Sequence, residues 1–213
     1  MKNMQKLLLV MITVTHLLHG HGELIIRLAQ PGDLDAISCL SSHEYQTHFK
    51  SLWEKSYAPL FPMEQSIDDF VAEKIVNQKE INKSIIAQQQ QESEGKIFVA
   101  YLVEERATPL LAGYCRVTKQ DAQTLYINYI LVDEQFRKQG IAKKLVGQAI
   151  SSFDAITECK FRALAQDTFI NDLYEKHGCI KKGTVALDIN TGKIATDPSA
   201  PITHVDYCFT VVK

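Results

Sequence analysis

The segment of residues 124–165 constrains the fold more than any other part of the chain. It begins with a nearly continuous apolar and aromatic run over residues 124–132, which is typical of a buried strand. A polar turn follows, and residues 140–153 repeat apolar side chains at helical spacing. Another apolar run over residues 159–165 predicts a second strand. Strand, helix and strand in this order predict a right-handed parallel crossover within a sheet.

The remaining elements extend this sheet. We predict strands over residues 24–28, 97–103, 110–117, 179–187 and 204–212. Asp33 stands where the N-cap of a helix belongs, and a broken helical pattern continues to Trp53. Residues 67–85 predict one long helix or a helix pair, and residues 168–177 a helix that Gly178 stops. We interpret the polar run from Gln88 to Gln91 as a solvated loop. The sequence therefore predicts a single mixed α/β domain over residues 23–213.

Composition excludes several classes of function. The chain has 213 residues, 46% of them hydrophobic and 23% charged, which suits one globular domain. A formal net charge of -2 gives no support to a nucleic-acid partner, because such proteins usually present a basic face. The five cysteines are scattered without metal-ligand spacing. We therefore expect buried reduced thiols, with neither a metal site nor a disulfide framework.

Residues 1–22 form a hydrophobic N-terminal extension. Lys2 and Lys6 precede a largely apolar stretch over residues 7–18, which is too short to span a bilayer. No A-x-A pattern precedes Glu23. Three interpretations remain open: a signal peptide, an apolar anchor on a membrane surface, and an extension that results from a wrongly chosen start codon.

The turn before the helix at residues 140–153 has the properties of a phosphate site. N–H groups at a helix start have no partner inside the helix, and the helix dipole adds positive character. Gly140 allows close approach of a ligand to the backbone, and Arg137, Lys138 and Lys143 add positive charge. An ordinary strand-to-helix loop on a basic patch would show the same residues, so these features alone leave both interpretations open.

Two motifs together resemble those of the GNAT N-acetyltransferase superfamily. Arg137-x-x-Gly140-x-Ala142 resembles its acetyl-CoA motif, Q/R-x-x-G-x-G/A, and follows a matching strand end at residues 130–136. The run from Leu173 to Cys179 resembles the family's L-Y-E-K-x-G-F segment. The order and separation of the two motifs also fit. The resemblance extends from about Leu24 to Lys213 and implies a mixed, mostly antiparallel seven-stranded sheet that is flanked by helices.

The resemblance also implies an activity. Members of the family transfer an acetyl group from acetyl-CoA, as co-substrate, to a primary amine that attacks directly in a ternary complex. The amine would belong to a small molecule or to a protein. By carry-over, Tyr174 would protonate the departing thiolate. The coenzyme would be held by two groups of residues. The pantetheine arm would bind Ile130, Leu131 and Val132, where a β-bulge leaves one N–H to polarise the thioester, and the pyrophosphate would bind Lys138, Gln139, Gly140, Ile141, Ala142 and Lys143.

This chain departs from the family pattern at positions that affect chemistry. Asp167 stands seven residues before Tyr174, where many members place an asparagine that bonds the pantetheine arm. Tyr126 and Arg162 occupy strand positions where some members carry a glutamate base. The motifs therefore assign no general base. Titratable candidates near the expected acceptor cleft are His43, Glu44, His204 and Asp206.

Two other kinds of function stay open. Without the glutamate, the same fold can serve as a non-catalytic module that binds acyl-CoA or a protein. A functional signal peptide would instead make the chain an exported or membrane-attached binding protein. Because the supply of acetyl-CoA is cytosolic, the acetyltransferase hypothesis predicts a cytoplasmic protein with no membrane span. A homodimer through edge strands is compatible with the family, and nothing in the sequence specifies one.

Overall fold

Seven strands form one mixed sheet in the computed structural model, which describes residues 22–57, 66–89, 94–104, 107–186, 195 and 203–211. The strand bounds are β1 (Gly22–Leu28), β2 (Gly95–Glu104), β3 (Leu110–Lys119), β4 (Thr124–Val132), β5 (Glu158–Leu164), β6 (Ile180–Val185) and β7 (His204–Thr210). The strands lie side by side in the order β1-β2-β3-β4-β5-β7-β6.

The helices lie on the two faces of this sheet. Their bounds are α1 (Leu34–Glu44), α2 (Ile67–Gln88), α3 (Ile141–Ser151) and α4 (Thr168–Lys176), and a short 3-10 turn over Pro31–Asp33 precedes α1. The long pattern after residue 67 is therefore one helix and not a pair. Ser66 caps it, because its side chain accepts a hydrogen bond from the backbone N–H of Asp69.

The strand pairing confirms the predicted mixed, mostly antiparallel sheet. The pair β4–β5 is parallel, and the other five neighbouring pairs are antiparallel. Helix α3 connects the two parallel strands, which is the strand–helix–strand unit that the sequence predicts over residues 124–165. Parallel neighbours need such a crossover because a tight turn can join only antiparallel strands.

Alternation along the strands distributes the core over both faces. On one face, Leu145 and Ala149 of α3 pack in a buried cluster with Val117 and Leu125. On the other face, α1 and α2 cover Val99 and Tyr114 and contribute Ile37 and Ile86 to a second cluster. Successive strand residues point to opposite faces, so each cluster takes every second side chain.

A helical extension (residues 45–57) continues α1 and carries an aromatic cluster. It consists of π turns over Tyr45–Phe49 and Trp53–Tyr57 on either side of a single α turn. Tyr45 stacks on Tyr129 of β4 with ring centroids 6.4 Å apart. Further along, Trp53 packs with Phe70 and with Leu164, the last residue of β5. The helical extension therefore reaches from β4 to the end of β5.

Asp33 occupies the predicted N-cap position of α1, but its carboxylate makes no capping bond to that helix. It instead accepts hydrogen bonds from the Arg27 guanidinium, the Gln30 N–H and the Tyr101 hydroxyl. Another local prediction was wrong. Gln89, which we expected in a solvated loop, is 4% exposed. Its amide bonds the carbonyl of Ala29 and the N–H of Ile97, so it links the ends of β1 and β2.

The predicted N-terminal extension falls almost wholly outside the described residues, since β1 already begins at Gly22. The signal-peptide, anchor and start-codon interpretations therefore stay predictions. Within the described ranges, the helices are all too short or too polar to cross a membrane.

Candidate active site

The parallel strands β4 and β5 separate half-way along β4. Their pairing runs from Thr124–Glu158 to Ile127–Phe161 and stops there. Residues 128–132 of β4 therefore have no strand partner on the β5 side in the described part of the chain. A β-bulge lies at the same point, because Val117 pairs with Ile127 while Arg116 pairs with Tyr129, which leaves Asn128 as the extra residue. The sheet thus opens into a cleft with backbone polar groups along one wall.

Ile130, Leu131 and Val132 form this wall of the cleft. Ile130 and Val132 pack toward the α3 side of the sheet, and Leu131 is buried on the other side. The side chains are therefore directed into the two cores, and the backbone edge borders the cleft. The carbonyl of Val132 already accepts a hydrogen bond from Arg137 Nε at 3.0 Å.

The turn into α3 presents its backbone to the mouth of the cleft. Lys138 and Gly140 both have left-handed backbone angles, with φ of 65° and 76°. Gly140 is the N-cap of α3 and has no side chain that could accept a hydrogen bond from the helix. The first N–H groups of α3, at Ile141 and Ala142, are therefore not capped by this residue. Left-handed residues just before a helix start can turn successive backbone N–H groups toward one side, where they bind anions.

The space around Gly140 is open. A Cβ atom added there would meet no atom within 4 Å, so within the protein alone glycine is required by conformation and not by crowding. Lys138, Gln139, Ala142 and Lys143 are exposed around it. The predicted phosphate-binding residues are thus brought together on one accessible turn at the positive end of a helix.

Arg137 has a different environment from the other cations of the turn. Its Nη2 lies 3.0 Å from Glu44 Oε2 at the end of α1. Together with the bond to Val132, this holds the side chain between α1 and β4. Sequence spacing gave no sign of the Glu44 contact. Arg137 therefore braces the turn, and its charge is partly compensated by a carboxylate.

Tyr174 lies at the base of the cleft. Its ring meets the edge of Phe161 at a centroid distance of 4.5 Å and that of Tyr207 at 5.6 Å. Burial, with smaller effects from Cys179 and Asp167, raises the pKa of Tyr174 to about 12. The phenol is therefore protonated at neutral pH and can act as a proton donor.

Asp167 precedes α4 and holds two groups at once. Oδ1 caps the helix by accepting from the Ile170 N–H at 3.1 Å. Oδ2 lies 3.0 Å from Nε2 of His48 in the helical extension. The neighbouring Asn171 donates to the carbonyls of Leu164 and Asp167 and accepts from the Tyr207 hydroxyl. Sequence reasoning missed His48, because no local pattern links residues 119 positions apart.

The other titratable candidates are already engaged or exposed. Glu44 binds Arg137, and Asp206 forms a two-point ion pair with Arg162 at 2.6 and 3.3 Å. Burial, aided by Arg162, lowers the pKa of His204 to about 4, so this imidazole is neutral at pH 7. His43 is exposed on α1.

A groove of about 460 Å³ lies beside the Arg162–Asp206 pair, across strands β4, β5, β6 and β7. Tyr126 contributes to its lining. Its charged lining consists of Glu158, Lys160, Arg162, Lys182 and Asp206. Three cations and two carboxylates give this groove a mixed charge. No cluster of three or more potential metal ligands occurs among the residues that the structure describes.

Comparison with models of protein families identifies one family. The model of the acetyltransferase (GNAT) family matches residues 53–179. No curated protein sequence matches this chain.

Several solved structures share the fold. The PaiA N-acetyltransferase from Thermoplasma acidophilum, in complex with coenzyme A, is 17% identical with a TM-score of 0.58, covering 88% of this chain and 99% of its own. Spermidine N-acetyltransferase from Vibrio cholerae, with CoA and spermine, is 16% identical with a TM-score of 0.51, covering 88% and 95%. A GNAT-family acetyltransferase from Streptococcus pneumoniae is 16% identical with a TM-score of 0.52, covering 89% and 100%.

Proposed function

Because this chain belongs to the acetyltransferase (GNAT) family, we propose that it transfers an acetyl group from acetyl-CoA to a primary amine by direct attack in a ternary complex. One observation carries the proposal. The cleft between β4 and β5 ends at a helix N-terminus without a side-chain cap on one side and at the partly buried Tyr174 phenol on the other. In this proposal they serve as a diphosphate-binding site and a proton donor at the two ends of one cleft.

In the proposed complex the coenzyme lies along the opened edge of β4. Backbone groups of Ile130, Leu131 and Val132 bind the pantetheine arm, since they have no strand partner on that side within the described residues. Asp167 follows β5 on the opposite wall of the cleft. Each of its carboxylate oxygens can accept a second hydrogen bond, so it can also bind the arm. The pyrophosphate lies over the turn of Lys138 and Gly140 and over the first turn of α3. Both reactants are held together, which supplies much of the acceleration.

The chemistry needs few protein groups. The amine nitrogen attacks the thioester carbonyl carbon, and a backbone N–H beside the bulge at Asn128 stabilises the oxyanion. The attacking nitrogen gives up one proton, the C–S bond breaks, and the thiolate of coenzyme A takes the proton of Tyr174, which the phenolate recovers through solvent. The raised pKa keeps that proton on Tyr174 until the thiolate forms. No metal ion takes part in this scheme.

The acceptor would lie along the groove beside Arg162 and Asp206, with its reactive nitrogen directed into the cleft between β4 and β5. A spermidine N-acetyltransferase shares this fold, so spermidine and spermine belong in the first screen. The groove itself has three cations against two carboxylates, which disfavours a polycation. The screen should therefore include amines that carry a carboxylate, and a peptide with a lysine or a free N-terminus.

Calorimetry with acetyl-CoA on the full chain tests the coenzyme site. We expect Gly140→Glu to weaken binding at least about tenfold, because a carboxylate would face the pyrophosphate. Gly147→Glu adds the same charge two turns further along α3 and should leave binding unchanged. Equal affinities of both variants would contradict the assigned diphosphate-binding site.

Amine-dependent release of free coenzyme A then tests catalysis. The second candidate function, a non-catalytic acyl-CoA-binding module, is favoured by Tyr126 and Arg162 at the two glutamate positions, since Arg162 is committed to Asp206. Binding of acetyl-CoA without release of coenzyme A by any amine in the screen would establish that function instead. Sequencing of the mature N-terminus tests the proposed cytoplasmic location, and processing near Gly22 would contradict it.

A further inference from the structure

The family motifs leave open which group takes the proton from the acceptor amine. The structure disfavours three of the four candidates suggested by the sequence, and the fourth, His43, is exposed on α1 without a recorded carboxylate partner among the described residues. Glu44 is tied to Arg137 and Asp206 to Arg162, so neither carboxylate is available. His204 has a pKa of about 4, which makes it a weak base at neutral pH. Its lone pair is therefore a poor match for an ammonium proton.

His48 differs from these candidates in its surroundings. Its side chain is 50% exposed, whereas the Asp167 carboxylate that it contacts is 10% exposed. The imidazole thus has one side fixed against a largely buried anion and the other side open. The contact joins the helical extension to the start of α4, two elements that are far apart in the sequence.

The chemistry of the contact fixes the form of the imidazole. An ionised carboxylate only accepts hydrogen bonds, so the His48 Nε2 that lies 3.0 Å from Asp167 carries the proton. In the neutral ring, Nδ1 then has the lone pair. A histidine whose second nitrogen is oriented by a carboxylate is the arrangement that activates a base in unrelated enzymes.

The location of the pair fits this role. Tyr45, three residues before His48, stacks on Tyr129 of β4, and Trp53 packs against Leu164 at the end of β5. The helical extension therefore bridges the mouth of the cleft, with His48 between these two anchors. Asp167 is also close enough to Tyr174 to contribute to its raised pKa.

Several other charged groups on the packed elements have partners of their own. Lys50 binds Asp68 of α2 at 2.6 Å, and Glu44 of α1 binds Arg137. Asp69 is bonded to Ser66, and the Lys74 ammonium lies over the Phe70 ring. In the described part of the chain, the charged group recorded within hydrogen-bond distance of the imidazole is Asp167, the N-cap of α4.

We propose that His48 is the general base of the acetyl transfer and that Asp167 is its positioning residue. This inference rests on the proposed function. As the amine nitrogen forms its bond to the carbonyl carbon, Nδ1 of His48 takes one amine proton. The C–S bond breaks, and the thiolate takes the proton of Tyr174. The products are the amide and coenzyme A, and the proton on His48 returns through solvent to the Tyr174 phenolate, so atoms and charges balance.

The test compares His48→Gln with His177→Gln in the full chain, using the best acceptor amine from the screen. His177 is an exposed histidine at the end of α4 and stands at the variable position of the L-Y-E-K-x-G-F segment. We expect His48→Gln to lower kcat about 100-fold at pH 7, with the KM for acetyl-CoA within about twofold. The difference in kcat between the wild type and His48→Gln should narrow at alkaline pH, where hydroxide in the solvent can take the same proton.

Asp167→Asn provides a second variant that keeps the fold. Asparagine is as good an N-cap as aspartate, so α4 should persist. Without the anion, the imidazole loses its orientation, and we expect kcat to fall about tenfold or more while acetyl-CoA still binds. A variant that changed only the melting temperature would indicate an ion pair with a purely structural role.

The outcomes separate this inference from the function on which it rests. If the wild type releases coenzyme A with an amine and His48→Gln matches it at every pH, the base assignment is overturned and the acetyltransferase function stands. If the wild type binds acetyl-CoA but no amine causes release, both fall. A kcat loss for His48→Gln with the altered pH profile, and none for His177→Gln, would support the assignment.

Discussion

The Tyr174 ring contacts Phe161 edge-on at the residue where β5 ceases to pair with β4. The phenol therefore lies at the base of the cleft, where the two strands part. A thioester held along β4 would bring its sulfur toward this base, because the pantetheine arm would follow the strand edge. The proposed proton donor therefore lies at the point where the two strands part.

Tyr174→Phe should remove the donor and leave this packing in place. We expect kcat to fall about 100-fold or more, because the thiolate would have to leave without a proton from the protein. The dissociation constant of acetyl-CoA should stay within about twofold. Coenzyme A release and calorimetry measure the two quantities.

Tyr101→Phe is the matched control for this variant. It also deletes one phenol hydroxyl, but that hydroxyl donates to Asp33, and its strand, β2, lies two strands away from β4 in the sheet. It should cost about 1 kcal/mol of stability and no activity. Full activity of Tyr174→Phe beside this control would rule out the acid role.

Much of the fold is predictable from the sequence. The crossover over residues 124–165 follows from a buried strand pattern, a helical period and a second strand pattern, each of which is local. The positions of Gly140 and Tyr174 follow from two motifs on that framework. Element ends agree to within a few residues for the same reason.

The contacts that complete the site are not predictable in this way. His48 and Asp167 meet only because the helical extension crosses the cleft, and Arg137 meets Glu44 only because α1 ends there. Gln89 was misread as solvated, because composition cannot show that its amide fills the gap between two strand ends. Long-range polar pairs carry no periodic signal along one sequence.

Substitution of the two glycines of α3 separates conformation from helix propensity. Gly140→Ala should destabilise the fold by about 1–2 kcal/mol, because φ is 76° and a Cβ atom disfavours that region. Gly147→Ala lies in the helix interior, where a Cβ atom meets nothing within 4 Å. It should stabilise by up to about 1 kcal/mol. Urea unfolding of both variants gives the two free energies, and equal signs would contradict the left-handed assignment.

A buried guanidinium beneath α2 predicts that two asparagine substitutions on this helix differ in their effect on the free energy of unfolding. Arg116 is 8% exposed, and its Nη1 donates to the amide oxygens of Gln78 and Asn82 at 2.6 and 3.0 Å. No carboxylate lies within ion-pair distance of it among the described residues. Asn82→Ala should therefore cost about 2–3 kcal/mol, because a buried charge loses one of its acceptors.

Asn77→Ala is the control on the same helix. Asn77 is exposed and makes a 3.4 Å contact with Glu73, so its loss should change the free energy of unfolding by less than about 0.5 kcal/mol. Thermal and urea unfolding distinguish the two variants. Similar small effects would mean that water replaces the lost acceptor at Arg116.

The depressed pKa of His204 predicts how stability changes with pH. In the unfolded chain a histidine titrates near 6.5, whereas in the fold burial and Arg162 lower the pKa to about 4. Between these values the unfolded chain binds a proton that the folded chain does not, so the free energy of unfolding falls as pH decreases from about 6.5 toward 4. Because His204 is only partly buried, its share of the fall should be roughly 1–2 kcal/mol. His204→Gln should flatten the plot of unfolding free energy against pH in that window, and the control His177→Gln should leave the plot unchanged. Parallel plots for the wild type and His204→Gln would show that the imidazole is as accessible to protons in the fold as in the unfolded chain.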